Sequence, residues 1–206
     1  MTGRSRGLLG ALALLALGDA PGAAQSFLAG TARNATAVLM VVRADGTETR
    51  LQGRGALQIF EGDTLRLDGQ GQALVETEEG AQIALNGGAA VKILSRWEKG
   101  KSMTRVLRLA GGELWARAKD SPSSLEIETP VGVLSTRAAE VSVRFVSDNE
   151  VSVMVVQGSA DFTTALGSCQ VRAGTVSHSV RGKPCTNAVA ADVRTPTNWS
   201  RALLSQ

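Results

Sequence analysis

Apolar and polar side chains alternate between Leu125 and Phe162, most clearly in Leu125–Glu128, Val141–Phe145 and Val151–Val155. A period of two places one face of each segment on a core and the other toward water, as in a half-buried β-sheet. Thr129-Pro130 ends the first segment, because proline has no backbone N–H to donate to a neighbouring strand. The pattern predicts short, mostly antiparallel strands.

Turn signals separate apolar runs in the preceding part of the chain as well. Asp45-Gly46, Glu61–Asp63 and Glu78–Gly80 each follow such a run, and Ser147–Glu150 separates two of the alternating segments. Asn86-Gly87-Gly88 is predicted to end one strand before the next begins. Turns about every ten residues are typical of sandwiches, barrels and solenoids.

The predicted fold class is therefore an all-β domain of short, mostly antiparallel strands, stacked as a sandwich or as a solenoid-like twist. Both architectures remain open, because they share the same period and turn spacing. The alternation fades from Ala188 onward. Asn198–Leu204 is expected either to form a short terminal helix or to fray.

The N-terminus has the pattern of a secretory signal peptide. Arg4 and Arg6 precede the apolar run Gly7–Leu17, which is shorter than the roughly 20 residues that a bilayer span needs. Small residues at Gly22 and Ala24 predict cleavage after Ala24. The expected location is periplasmic or secreted, and the alternative is an uncleaved membrane anchor.

Composition and charge serve mainly to exclude classes of function. The formal net charge is +3, and basic residues are scattered among acidic ones, so no nucleic-acid binding is expected. No second apolar run reaches membrane length, so no transmembrane span is expected in the mature chain. The densest basic stretch, Arg96–Arg108, alternates like a solvated strand face; the alternative is that it binds an anionic lipid or glycan.

Two cysteines, Cys169 and Cys185, lie close together near the end of the chain. In an oxidising compartment this pattern predicts a disulfide, worth about 3 kcal/mol in the chain-entropy model. The alternative, a pair of reactive thiols or metal ligands, has no Cys-X-X-Cys spacing or neighbouring ligands to favour it.

Candidate catalytic groups are few. His178 lies between Ser177 and Ser179, but adjacent strand residues point to opposite faces, so neither serine is placed against the ring. Glu126 and Glu128 share a strand face about 7 Å apart, as a solvated sheet face also would. No catalytic site, metal or cofactor is expected. Trp97 and Trp115 are candidates to line a binding edge or groove, with a core position as the alternative for Trp115.

A series of short motifs carries a family resemblance. In chain order they are Gly62-Asp63-Thr64, the hairpin residue Gly80, Thr129-Pro130, then Arg137 and Glu140 in one Arg-Ala-Ala-Glu-Val segment, and Gly158 after an apolar strand. In this order and spacing, from about Leu57 to Phe162, the chain resembles the FecR-like periplasmic domain family. The resemblance implies an all-β domain exposed to the periplasm, with an envelope interaction or sensing role.

Departures from the family narrow this expectation. Its regulators of iron-uptake genes join such a domain to a cytoplasmic sigma-binding helix bundle through a membrane span. Here a predicted signal peptide stands in place of both, so their transmembrane signalling is not carried over. We divide the chain into a signal peptide (1–24), an N-terminal β-extension (25–56), a FecR-like β-domain (57–190) and a C-terminal tail (191–206).

The sequence thus favours an exported, non-catalytic binding or sensing domain, with an envelope protein or a polysaccharide as its partner. β-Augmentation at an exposed strand edge is one route to such binding. The first alternative is a structural module that self-associates. The second is a glycan hydrolase that uses the strand face carrying Glu126.

Overall fold

The computed structural model describes residues 27–118 and 124–204. The predicted signal peptide and its cleavage site after Ala24 lie outside these residues. The described residues form fourteen strands and one helix: β1 Leu28–Val42, β2 Glu48–Phe60, β3 Thr64–Leu67, β4 Gln72–Thr77, β5 Gln82–Arg96, β6 Thr104–Arg117, β7 Ser124–Glu128, β8 Val133–Thr136, β9 Glu140–Ser147, β10 Glu150–Gln157, β11 Ser159–Thr164, β12 Gly167–Arg172, β13 Thr175–Val180, β14 Val189–Ala190 and α1 Arg194–Leu204.

Three of the long strands, β1, β5 and β6, each pair with two different neighbours along one edge, and this divides the sheet into two layers. The first half of β6 pairs with β7 and the second half with β9. One layer, here layer A, continues through β7, β8, β11 and β12. The other, layer B, continues through β9, β10, β13 and β14. All pairs are antiparallel except β6 with β7, so the predicted all-β, mostly antiparallel fold is confirmed.

One hydrophobic core lies between the layers. It includes Phe162 and Leu134 of layer A and Val143 and Val153 of layer B, each at most 1% exposed. Alternation explains this directly, because every second side chain of these strands points inward. A core shared by two facing layers makes the architecture a sandwich rather than a solenoid. β1 contributes Leu39 and β2 contributes Ile59 to the same core, as both strands belong to the same sheet.

The predicted strand break at Asn86-Gly87-Gly88 is wrong. β5 continues through this segment, and a bulge there shifts its register against β6. Gly87 and Gly88 have φ values of +50° and +70°, which suit a bulge as well as a turn. The backbone of Ala89 approaches Gly112 of β6 so closely that a Cβ there would collide. The two strands therefore bend together as they pass from one layer to the other.

The predicted turns at Asp45-Gly46, Glu61–Asp63, Glu78–Gly80 and Ser147–Glu150 are confirmed, since each lies at a junction between consecutive strands.

The C-terminal residues form a helix instead of fraying. Helix α1 packs on the outer face of layer B.

Contacts with layer B explain why α1 is stable at this position. Leu203 packs with Trp115 and Ala84, and Trp199 Nε1 donates a hydrogen bond to Glu113. At the start of the helix, Asp192 Oδ1 accepts bonds from the first free N–H groups, which caps it. Trp115 is 1% exposed and is therefore a packing residue beneath the helix, not an exposed anchor.

The predicted disulfide between Cys169 and Cys185 is present. Cys169 lies on β12, the edge strand of layer A, and Cys185 follows β13 of layer B. The bond therefore joins the two layers at one open edge of the sandwich. Within residues 27–118 and 124–204, no helix is long and apolar enough to span a membrane.

Candidate functional site

A polar groove of about 770 Å³ lies on the outer face of layer A. Its floor is formed by β6, β7, β8 and β11, and its sides by the β5–β6 turn and the β8–β9 connection. Six hydroxyl side chains line it: Ser102, Thr104, Ser124, Ser135, Thr136 and Ser159. Five charged side chains line it as well: Glu98, Lys101, Glu126, Arg137 and Asp161. Pockets that bind small molecules commonly have volumes of about 300–1,000 Å³.

Strand register brings these residues together from distant parts of the chain. Glu126 pairs with Ser135 across β7 and β8, and Ser135 pairs with Asp161 across β8 and β11. The intervening residues Leu125 and Leu134 point into the core. The polar row follows the strand spacing of about 4.8 Å, so the floor presents a hydrogen-bonding group at each step.

The carboxylates first considered as a catalytic pair are engaged by arginines. Arg96 donates to Glu126 at 2.5 Å and to Glu128 at 3.2 Å, and Arg108 Nε donates to Glu128 at 2.9 Å. This network runs along a solvated strand face. Both carboxylates are thus engaged by arginines instead of standing free on either side of a cleft, as the pair of an inverting glycosidase does.

Glu98 in the β5–β6 turn is also paired, with Lys101. The hydrogen bond from Lys101, then its charge and that of Arg96, lower the pKa of the Glu98 carboxyl. Glu98 is therefore ionised at neutral pH and forms a charged point at the groove's rim.

Arg137 and Asp161 differ from these residues. Among the residues that the structure describes, neither side chain makes a hydrogen bond or an ion pair, and both are exposed. One is a planar multiple donor and the other an acceptor. They are the charged groups of the groove that remain available to a ligand.

The wall that carries Arg137 depends on Gly158. Gly158 has a φ of +80°, and a Cβ at this position would lie 3.0 Å from the carbonyl oxygen of Ala138. Thr136 Oγ1 donates to the carbonyl of Ser159 at 3.1 Å, which fixes the same connection to β11. Only glycine combines this backbone conformation with so close an approach. Two motif positions, Arg137 and Gly158, therefore belong to the groove.

The motif Gly62-Asp63-Thr64 has a structural role on another part of the molecule. Asp63 is 1% exposed, and its Oδ2 accepts bonds from Phe60 N at 2.7 Å and Arg43 Nη1 at 2.5 Å. Gly62, with φ +88°, makes the turn and donates to Ile93. Gly80 makes the β4–β5 turn in the same way.

The remaining motif residues also stabilise the fold. Thr129 Oγ1 donates to the carbonyl of Gly132 at 2.8 Å and so closes the turn after β7. The carbonyl of Pro130 accepts from Arg181 Nε. Glu140 is 8% exposed and accepts a bond from Trp115 Nε1 at 3.3 Å.

Arg105 corrects the interpretation of Arg96–Arg108 as a solvated strand face. Its side chain is buried and bonds to Glu79 through Nη2 and, at 3.2 Å, through Nε. It thereby joins the β5–β6 end of layer A to the β4–β5 turn of layer B. Alternation alone did not reveal that this arginine lies on the inward side.

His178 is not part of a site with its neighbouring serines. Its side chain is half exposed and lies 3.9 Å from Glu150, whereas Ser177 and Ser179 are buried on the other face. No group of three or more potential metal ligands occurs within the described residues. Trp97, in contrast to Trp115, is 73% exposed. It directly precedes Glu98, which lines the groove.

Sequence reasoning did not find the groove as a site. It singled out Glu126, Arg137 and Gly158 separately but not Asp161. The polar residues at alternate positions of β7, which are Ser124, Glu126 and Glu128, were the available signal, yet such residues are common on any solvated sheet face.

Two comparisons agree with this fold. The sandwich defines an all-β domain of the kind found in two crystal structures, each described as that of a candidate anti-sigma factor from Parabacteroides distasonis. The 1.65 Å structure has a TM-score of 0.51 and 15% identity, covering 63% of this chain and 60% of that one. The 2.50 Å structure has a TM-score of 0.55 and 14% identity, covering 66% and 63%. At these identities the likeness shows the fold alone.

One stretch of the sequence matches a family model. Residues 63–161, just under half of the chain, match the model described as FecR protein. The resemblance inferred from the motifs is thus confirmed. None of the curated proteins matches the chain.

Proposed function

We propose that this chain is a non-catalytic binding or sensing domain of the bacterial cell envelope, and that the groove on layer A is its recognition surface. In this proposal residues 1–24 direct export to the periplasm or beyond and are removed by cleavage after Ala24. The observation that carries the proposal is the pair of available charged groups, Arg137 and Asp161, in a preformed polar groove. The FecR domain and the disulfide, which persists in oxidising compartments, support it.

The groove favours binding over catalysis. Its carboxylate Glu126 is bonded to Arg96 at 2.5 Å, and Glu98 is bonded to Lys101. A hydrolase would need a positioned acid and base with free access to substrate. Here Glu126 and Glu98 are engaged by cations, so Asp161 is the one carboxylate of the described lining that is not paired, whereas an acid and a base require two groups. Glycan hydrolysis stays the weakest alternative. Recovery of the intact saccharide after prolonged incubation with the protein would exclude it.

A self-associating structural module is the stronger alternative. The outer edge of β2, a strand of thirteen residues, has no strand partner within the described part of the chain. Such an edge can pair with a second copy. A molecular mass that rises with concentration would favour this alternative.

Retention on isolated cell envelopes tests the proposal. Mature protein, residues 25–206, is incubated with washed envelopes of the producing bacterium, and the bound fraction is measured after sedimentation. We expect saturable retention that falls about tenfold or more in the double variant Arg137→Ala/Asp161→Ala, since each lost charged hydrogen bond costs roughly 1.5–3 kcal/mol.

The matched control is Arg54→Ala/Asp148→Ala, which removes the same two residue types from exposed positions outside the groove. This variant should be retained like the wild type. Equal retention of both variants, or no retention of the wild type, would contradict the proposed function. Circular dichroism and thermal unfolding establish that each variant is folded.

A further inference from the structure

The groove on layer A has the chemistry of a saccharide site. We infer that it binds an uncharged oligosaccharide, lying across β7, β8 and β11. This inference rests on the proposed function and names the class of ligand that the same groove takes.

The available polar groups match sugar hydroxyls, which both donate and accept hydrogen bonds. Asp161 provides a carboxylate acceptor and Arg137 a guanidinium donor, and neither has a partner among the described residues. Ser124 and Ser135 add hydroxyls between them, each able to donate and accept. Hydrogen bonds to charged groups are the stronger ones, so these two residues would orient a sugar ring.

Trp97 is an exposed aromatic residue next in sequence to the groove lining. It precedes the lining residue Glu98 in the β5–β6 turn, and it is 73% exposed. The same turn contributes Lys101 and Ser102 to the groove. Tryptophan is enriched at recognition sites, because its indole provides a large contact area with a polar N–H at one end. It would stack on the apolar face of a sugar ring.

The groove is poorly suited to a polyanion. Its described lining carries three carboxylates, Glu98, Glu126 and Asp161, against the two cations Lys101 and Arg137. Arg96, which is bonded to Glu126, brings the two signs into balance, so no excess of positive charge attracts phosphate- or sulfate-rich chains.

It is equally poorly suited to a peptide. β6, β7, β8 and β11 are hydrogen-bonded to one another, so their backbone edges are not open to an added strand. Ala138 is the one apolar side chain among the described lining residues. The groove therefore has no pockets for the apolar side chains by which peptides are commonly held.

A glycan array that carries uncharged and anionic oligosaccharides tests the inference. Labelled mature protein, residues 25–206, is applied at a series of concentrations. We expect saturable binding to uncharged oligosaccharides and little to anionic ones. The apparent affinity should fall about tenfold or more in Arg137→Ala/Asp161→Ala, because charge-assisted bonds are lost. It should remain unchanged in Arg54→Ala/Asp148→Ala.

Trp97 variants separate stacking from general surface effects. Trp97→Ala should weaken binding severalfold, and Trp97→Phe should restore part of the loss, because a ring can still stack. Trp97 is exposed, so neither change is expected to impair folding.

Absence of binding to every uncharged oligosaccharide, a preference for anionic ones, or equal binding by the groove variants would each overturn the inference. If envelope retention still depended on Arg137 and Asp161 in that case, the groove would recognise an envelope component other than a sugar. The proposed function would then stand while the ligand class fell.

Discussion

Asp63 shows how a short family motif can serve the fold rather than a ligand. Its carboxylate is buried, paired with Arg43 and bonded to Phe60 N, and the guanidinium of Arg43 also lies 5.0 Å from the centre of the Phe60 ring. Removing one partner leaves the other charge partly buried without compensation. Arg43 keeps 19% of its side chain exposed, which limits that cost.

Asp63→Asn is therefore expected to lower the free energy of unfolding by about 2 kcal/mol, below the range for fully buried pairs. Urea denaturation at neutral pH measures the change. Glu98→Gln is the comparison, because it breaks the exposed ion pair with Lys101, and its midpoint should match the wild type. A loss at Asp63 no larger than at Glu98 would show that the buried pair does not stabilise the turn.

Alanine substitutions at Gly158 and Gly46 distinguish the cost of backbone strain from the cost of a steric clash. Both have positive φ, +80° and +86°, but only Gly158 would bring a Cβ against another segment. Alanine at Gly46 should cost about 1 kcal/mol from strain, and alanine at Gly158 about 1–2 kcal/mol more. Thermal or urea unfolding of both variants gives the difference. Equal losses in the free energy of unfolding would mean that the connection carrying Arg137 adjusts to the added methyl group without an energetic cost.

At the scale of elements, helix α1 is held by its cap and by its contacts with layer B. Hydrogen bonds from Thr195 and Arg194 lower the pKa of the Asp192 carboxyl in the folded state. Its stabilising effect is thus fully present above its unfolded pKa, near 3.9, and is lost as the pH falls through its lower folded pKa.

We expect the wild type to lose this contribution of the cap below about pH 4, whereas Asp192→Asn, which keeps an acceptor oxygen, should lack this pH dependence. Stability curves at several pH values between 2 and 7 measure it by tryptophan fluorescence, to which Trp199 in the helix and Trp115 beneath it both contribute. Parallel curves for the two proteins across this range would show that Asp192 does not titrate with helix docking.

The disulfide is the second stabilising device at this scale, because it joins the edges of both layers. Cys169→Ala/Cys185→Ala should lower the free energy of unfolding by about 3 kcal/mol, as closing a loop of this length restricts the unfolded chain. Urea unfolding of the wild type with and without reductant provides the control, since reduction should reproduce most of the loss. An unchanged midpoint would mean that the core alone holds the layers together.

The elements also show where the sequence was informative. Alternation predicted β7, β9 and β10 because side-chain direction depends only on position within a strand. It failed at Gly87-Gly88, because two glycines suit a bulge as well as a turn, and only pairing with β6 decides between them. The terminal helix was left open because its stability comes from contacts with Trp115 and Glu113, far away in sequence.

At the scale of the whole molecule, the two faces of the sandwich have different roles. Helix α1 covers part of the outer face of layer B, whereas the outer face of layer A carries the open groove. The groove could not be predicted from sequence, because Thr104, Ser135 and Asp161 become neighbours only through strand register. The family motif did mark part of it, since Gly158 and Arg137 build one wall.

Site-specific photo-crosslinking on intact envelopes tests most directly whether the groove is the recognition surface. A photoreactive amino acid replaces Ser135 at the centre of the groove floor or, in a second protein, Arg54 outside the groove. The account predicts a crosslinked envelope component from position 135 and none from position 54. Adducts from position 54 alone, or only dimers of the chain itself, would contradict it.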